Sequence, residues 1–104
     1  MPVTLDPSTR PGRLLSQRRE EVLALARAHG ATDVRVFGSV ARGDAGPESD
    51  VDLLVTFSPR ASVFARLDLE EALQQLLGIR VEVVTPEALH RLIRDEVLRE
   101  AVDV

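Results

Sequence analysis

Residues 37–55 read FGSVARGDAGPESDVDLLV, and the fold follows from how this stretch divides. The residues leading into it, Asp33 to Phe37, form a short β-branched run that stops at Gly38-Ser39, the pattern of a strand ending in a turn. After ten intervening residues, 40–49, comes Asp50-Val51-Asp52, where the nearly continuous apolar run Val51 to Phe57 begins, as in a strand buried on both faces. Side chains alternate along a strand, so Asp50 and Asp52 project to one side while Val51 and Leu53 turn to the other. Two carboxylates that close repel and raise each other's pKa unless a cation lies between them. Hard oxygen ligands suit Mg²⁺ or Mn²⁺, and Mg²⁺ leaves its remaining positions to water and substrate phosphates, which points to a nucleoside triphosphate. Gly38 lets the backbone approach a ligand, and a short helix from Ser39 to Arg42 aims free N–H groups at an anion.

Working outward, Leu15, Val22, Leu25 and Ala26 recur at helical spacing between Leu14 and His29, with Gly30 as a stop, which predicts a first helix. Before it, Pro2, Pro7, Pro11 and Gly12 oppose regular structure, so residues 1–13 read as a flexible arm and 14–104 as the folded domain. Gly43, Gly46 and Pro47 punctuate a loop. Leu69, Ala72, Leu73, Leu76 and Leu77 make an amphipathic stripe that Gly78 ends. Arg80 to Thr85 alternates as a third strand, and Pro86 opens a last helix with Leu89, Leu92, Ile93, Val97 and Leu98 facing inward. The order α-β-α-β-α-β-α implies an α/β fold, a small mixed sheet with helices packed on it.

Composition narrows the chemistry. With 104 residues there is room for one core, and no apolar run is long enough for a membrane span or a signal peptide, so the chain is expected to be cytoplasmic. Cysteine is absent, which excludes disulfides, thiolate metal sites and thiol catalysis. The formal charge of −4 argues against a surface that tracks long nucleic acid. All 13 cations are arginine and tyrosine is absent, which removes a catalytic lysine and a tyrosine acceptor within the chain.

A two-metal displacement needs a further acid, and Glu82 is the candidate, mid-strand in RVEVVT with Val81 and Val83 on the opposite face. The competing reading is an edge-strand glutamate facing solvent. Arg42 divides between a phosphate-neutralising residue and a solvated helix arginine. His29 ends the first helix and His90 lies on the polar side of the last, so neither is read as a ligand. Phe37, Phe57 and Phe64 are read as core. The stretch from Glu96 to Val104 is open between internal packing and a subunit contact.

These residues resemble the minimal nucleotidyltransferase (MNT) family of the DNA polymerase β-like superfamily, whose signature is Gly-Ser, ten residues, Asp-x-Asp and a third acid on a later strand. The resemblance runs from about Glu20 to the C-terminus through GSVARG, SDVDLLV and VEVVTPEAL. It implies that Gly38, Ser39 and Arg42 bind nucleotide and that Asp50, Asp52 and Glu82 hold two Mg²⁺ ions and carry catalysis. Glu82 stands where the family more often has Asp. Family members of this minimal type are commonly antitoxins of a separately encoded HEPN-type ribonuclease, and some transfer AMP from ATP to a tyrosine of that toxin. The resemblance therefore implies ATP as substrate and a toxin as partner, within a homo- or hetero-oligomer. Two alternatives accompany it: a stoichiometric binding antitoxin with a dispensable site, and transfer to a small molecule such as an aminoglycoside. The second is disfavoured because the chain carries no acceptor-binding domain.

Overall fold

The structure is a computed structural model and describes residues 9–43, 46 and 50–104. Its elements are α1 (Arg10–Gln17), α2 (Arg19–Ala28), β1 (Ala31–Phe37), α3 (Gly38–Arg42), β2 (Val51–Phe57), α4 (Ala65–Leu77), β3 (Val81–Val84), α5 (Arg91–Glu100) and β4 (Val102–Asp103), with a 3₁₀ turn at Pro86–Ala88. The four strands form one mixed sheet in the order β3-β2-β1-β4, β2 parallel to β3 and β1 antiparallel to both its neighbours. The expected α/β fold with a small mixed sheet is observed.

Alternation along β2 sorts its side chains to two faces. Val51, Leu53 and Val55 enter the main core with Leu15, Val22, Ala26, Leu69 and Leu73. Leu54 turns to the other face, where Leu89 and Val97 bury it together with Phe37, Val84 and Leu98. The run Val51 to Phe57 is apolar because both sides of its strand are covered. Helix α4 supplies Leu69, Leu73 and Leu77 at intervals of four, and Gly78 closes it with φ 69°, the left-handed conformation a glycine takes without strain.

Several expectations are corrected. The first helix begins at Arg10: Thr9 Oγ1 accepts from the Gly12 N–H at 3.1 Å, and Pro11 sits in the first turn, where its missing N–H costs nothing. Thr9 therefore caps α1 and residues 10–13 belong to it, while residues 1–8 of the expected arm lie outside the described residues. The predicted helix over 14–29 is two helices, broken at Arg18 (φ −106°, ψ 17°), so Leu15 on one and Val22 and Ala26 on the other reach the same core.

Pro86 opens the 3₁₀ turn, and α5 starts afresh at Arg91 under an N-cap from His90, whose Nδ1 accepts from the Leu92 N–H at 3.1 Å. This restart shifts the helical phase. Leu89, Val97 and Leu98 pack as expected, while Leu92 and Ile93 face solvent. Phe64 is likewise exposed, because it lies at the N-cap of α4 ahead of the buried stripe. Phe37 and Phe57 pack against the core as expected. The last residues pack internally: Val102 and Val104 join the main core, and β4 pairs Val102 with Val36. The predicted loop at Gly46 and Pro47 falls mostly outside the described residues. Among the described residues no helix is long and apolar enough to cross a membrane.

Candidate active site

The site forms where three strand ends meet. Antiparallel pairing of β1 with β2 sets Phe37 opposite Asp52, so the turn into α3 begins beside the first residues of β2. Parallel pairing of β2 with β3 sets Glu82 opposite Asp52 on the other side. Asp52 is thus flanked by Gly38 towards β1 and by Glu82 towards β3. Register alone sets Glu82 against Asp52, since direct partners present their side chains on one face, and Glu82 is at the same time exposed on the edge strand β3, as the competing reading expects.

Gly38 is constrained twice. Its φ of +74° is left-handed, and a Cβ placed there would stand 2.6 Å from Asp52 Oδ2. A side chain at position 38 would therefore displace the carboxylate. From this turn α3 runs to Arg42; fully buried Val40 anchors it in the main core, and Gly43 ends it in the left-handed conformation (φ 80°). Ser39 lies in its first turn, and among the described residues no side-chain hydrogen bond caps this N-terminus.

Asp52 has its pKa raised from 3.8 to about 6. Burial is the largest cause, followed by the negative charges of Glu82 and Asp50 and a hydrogen bond between its carboxyl and that of Glu82; Arg42 opposes the rise. Asp52 therefore keeps its proton up to about pH 6. Asp50 instead lies 3.9 Å from Arg80 Nε, a pair exposed enough to be weak. Arg42 Nη1 lies 3.5 Å from Glu100 Oε1, so its guanidinium is shared between the C-terminal end of α5 and the field of Asp52.

Among the described residues, no three acidic or histidine side chains stand close enough together to hold a metal ion without moving. The donor set nonetheless suits one: Asp50, Asp52 and Glu82 offer hard oxygens, and a bound cation would offset the burial and carboxylate repulsion that raise the pKa of Asp52. Closing the set requires Asp50 to turn away from Arg80, an inexpensive motion for an exposed pair.

Sequence reasoning missed the residues around the third acid. A hollow of about 430 Å³ is lined by Asp50, Glu82, Arg66, Leu67, Glu70 and Arg80, among others. Arg66, Glu70 and Gln74, at intervals of four on α4, cover the outer edge of β3. Glu70 Oε2 accepts from the Val83 N–H at 2.9 Å, Gln74 Oε1 from the Val81 N–H at 3.2 Å, and Arg66 Nη1 donates to the Val83 carbonyl at 3.3 Å. Their polar spacing was visible in the sequence, but it reads equally as a solvated helix face. A second hollow of about 260 Å³, between α2 and the β1–β4 edge, contains none of the predicted site residues. The predicted non-ligands behave as structural groups: His29 Nδ1 lies 2.8 Å from the Leu25 carbonyl, and His90 caps α5.

Comparison with known proteins shows the family and the fold. Residues 15–104 match the family model described as a nucleotidyltransferase domain. The chain is 41% identical over 93 residues to protein adenylyltransferase MntA of Thermococcus cleftensis, covering 82% of this chain and 94% of the relative. A solved structure assigned as a minimal nucleotidyltransferase superposes with TM-score 0.79 at 48% identity, covering 88% of this chain and 94% of that one. A toxin–antitoxin complex solved with AMP-PNP contains a chain of the same fold, TM-score 0.68 at 21% identity, covering 81% of this chain and 69% of that one. With Gly38 packed against Asp52, Glu82 in register on the other side and a family match over nearly the whole chain, the chain belongs to the nucleotidyltransferase domain family, in its minimal, MNT-like branch.

Proposed function

We propose that the chain is a metal-dependent protein adenylyltransferase that moves AMP from ATP to a hydroxyl, a tyrosine of a separately encoded HEPN-type toxin, and so acts as that toxin's antitoxin. The observation that carries the reading is the placement of Asp52 between the Gly38 turn and Glu82. The MntA relative supports protein adenylylation, and the toxin–antitoxin complex solved with AMP-PNP has the same fold.

Asp50, Asp52 and Glu82 would hold Mg²⁺. Bound there, the ions would neutralise the triphosphate and favour the ionised acceptor oxygen. Backbone N–H groups of the Gly38-Ser39 turn receive phosphate oxygens, and Arg42 adds positive charge near Asp52. The acceptor oxygen attacks the α-phosphorus in line, the bond from that phosphorus to the bridging oxygen breaks, and pyrophosphate departs on the Gly38 side. Glu82, on the opposite side of Asp52, takes the hydroxyl proton.

A second reading has its own support: the three acids are not gathered in this structure, as expected of an antitoxin that works by stoichiometric contact with a dispensable site. Purified chain, a purified HEPN-type toxin, Mg²⁺ and α-labelled ATP decide between them. Label on the toxin that disappears with Asp50→Asn and Asp52→Asn supports transfer; no label, together with full protection of cells by the double variant, supports contact alone.

A further inference from the structure

Three large apolar side chains stand in solvent at the start of α4: Val63 is 91% exposed, Phe64 64% and Leu67 53%. Single exposed apolar residues are ordinary, but a group of them around one helical turn marks a contact surface. Phe64 and Leu67, three residues apart, are neighbours on the helix surface. Helix α4 already buries Leu69, Leu73 and Leu77, so this group has no share in the core.

Its position relative to the site gives it a use. Leu67 lines the hollow that also contains Asp50 and Glu82, so the apolar group is continuous with the acid site. The sheet order places this hollow on the β3 side of Asp52 and the Gly38 turn on the β1 side. Nucleotide held at the turn therefore leaves the β3 side for the second substrate. Val63 and Phe64 lie outside the hollow's lining, beyond the reach of a small acceptor but available to a protein surface. Arg80, 79% exposed on its side chain, adds a cation to the same hollow.

We propose that Val63, Phe64 and Leu67 form the docking surface for the protein acceptor. The segment that binds there carries apolar side chains next to the reactive hydroxyl and an acidic side chain for Arg80. This rests on the reading of the site as one that adenylylates a protein.

The test is the double variant Phe64→Ser, Leu67→Gln. Serine is a better N-cap than phenylalanine and glutamine has a helix propensity close to that of leucine, so the fold should be kept; a thermal melt checks it. The probes are a non-hydrolysable ATP analogue and a purified HEPN-type toxin, the acceptor of the proposed function. The expected result is unchanged affinity for the analogue, a Kd and an acceptor KM each raised tenfold or more, and kcat within twofold of wild type. Wild-type values of Kd and KM would overturn the proposal. So would a wild-type self-association, seen by sedimentation, that the double variant loses while its acceptor affinity stays intact. A wild-type chain that binds the acceptor without labelling it removes the transfer reading alone, and docking is then judged on Kd.

Discussion

Asp52 and Glu82 are direct partners across the parallel pair β2–β3, and their carboxyl groups share a hydrogen bond that, with burial, raises the pKa of Asp52 to about 6. Burial and neighbouring acids that raise the cost of ionising Asp52, with only Arg42 acting against them, favour a bound positive charge.

The first consequence is a pH dependence of stability. The unfolded pKa of Asp52 is 3.8 and the folded value about 6, so between these values the folded state holds more of the proton. Stability without divalent ions therefore falls as pH rises from about 4 through 6, by on the order of 2 kcal/mol. Asp52→Asn should flatten that decline in denaturant titrations run with a chelator. An unchanged slope in the variant would remove Asp52 as its cause.

Asp52→Asn should also cut AMP transfer by at least about 10²-fold, more than the loss typical of an outer-shell partner of a metal ligand. The same variant should melt no lower than wild type at pH 8 without metal. Loss of activity together with loss of fold would mean that the residue is structural.

Gly38→Ala places a Cβ 2.6 Å from Asp52 Oδ2 in a left-handed conformation. The strained backbone costs about 1–3 kcal/mol, measured by urea unfolding. Transfer should fall further than stability predicts, because the displaced carboxylate is part of the site. Ala at Gly78, also left-handed but with open space around it, should lower stability and leave transfer intact.

Glu82→Gln keeps the shape of the side chain and removes its basicity. Transfer should drop by about 10²–10⁴-fold, the range for loss of a positioned general base, while the melting temperature holds or rises. Glu82→Asp should retain measurable activity. If Glu82→Gln transfers AMP at the wild-type rate, the proton leaves by another route.

Glu70→Ala should destabilise the chain by about 1–3 kcal/mol, because the Val83 N–H on the edge of β3 loses its acceptor. Light scattering on heating should show earlier aggregation, as an uncovered strand edge is a template for pairing with another chain.

By itself the sequence determined the strand-turn-helix at Gly38, the strand from Val51 and the amphipathic helix ended by Gly78. Each rests on local rules of alternation, helical spacing or backbone freedom at glycine, which operate over a few residues. Tertiary structure decided what depends on phase and register. The start of α5 at Arg91 turned Leu92 and Ile93 outward, against the helical spacing counted from Pro86, because the cap at His90 reset the helix. A two-residue strand such as Val102–Asp103 has too little pattern to read, and it exists because β1 offers an edge. The same holds at the site. Glu82 could be seen as an acid in an apolar strand, but only the parallel register with β2 sets it against Asp52, and only the reversal from β2 to β1 brings Gly38 to that carboxylate's other side.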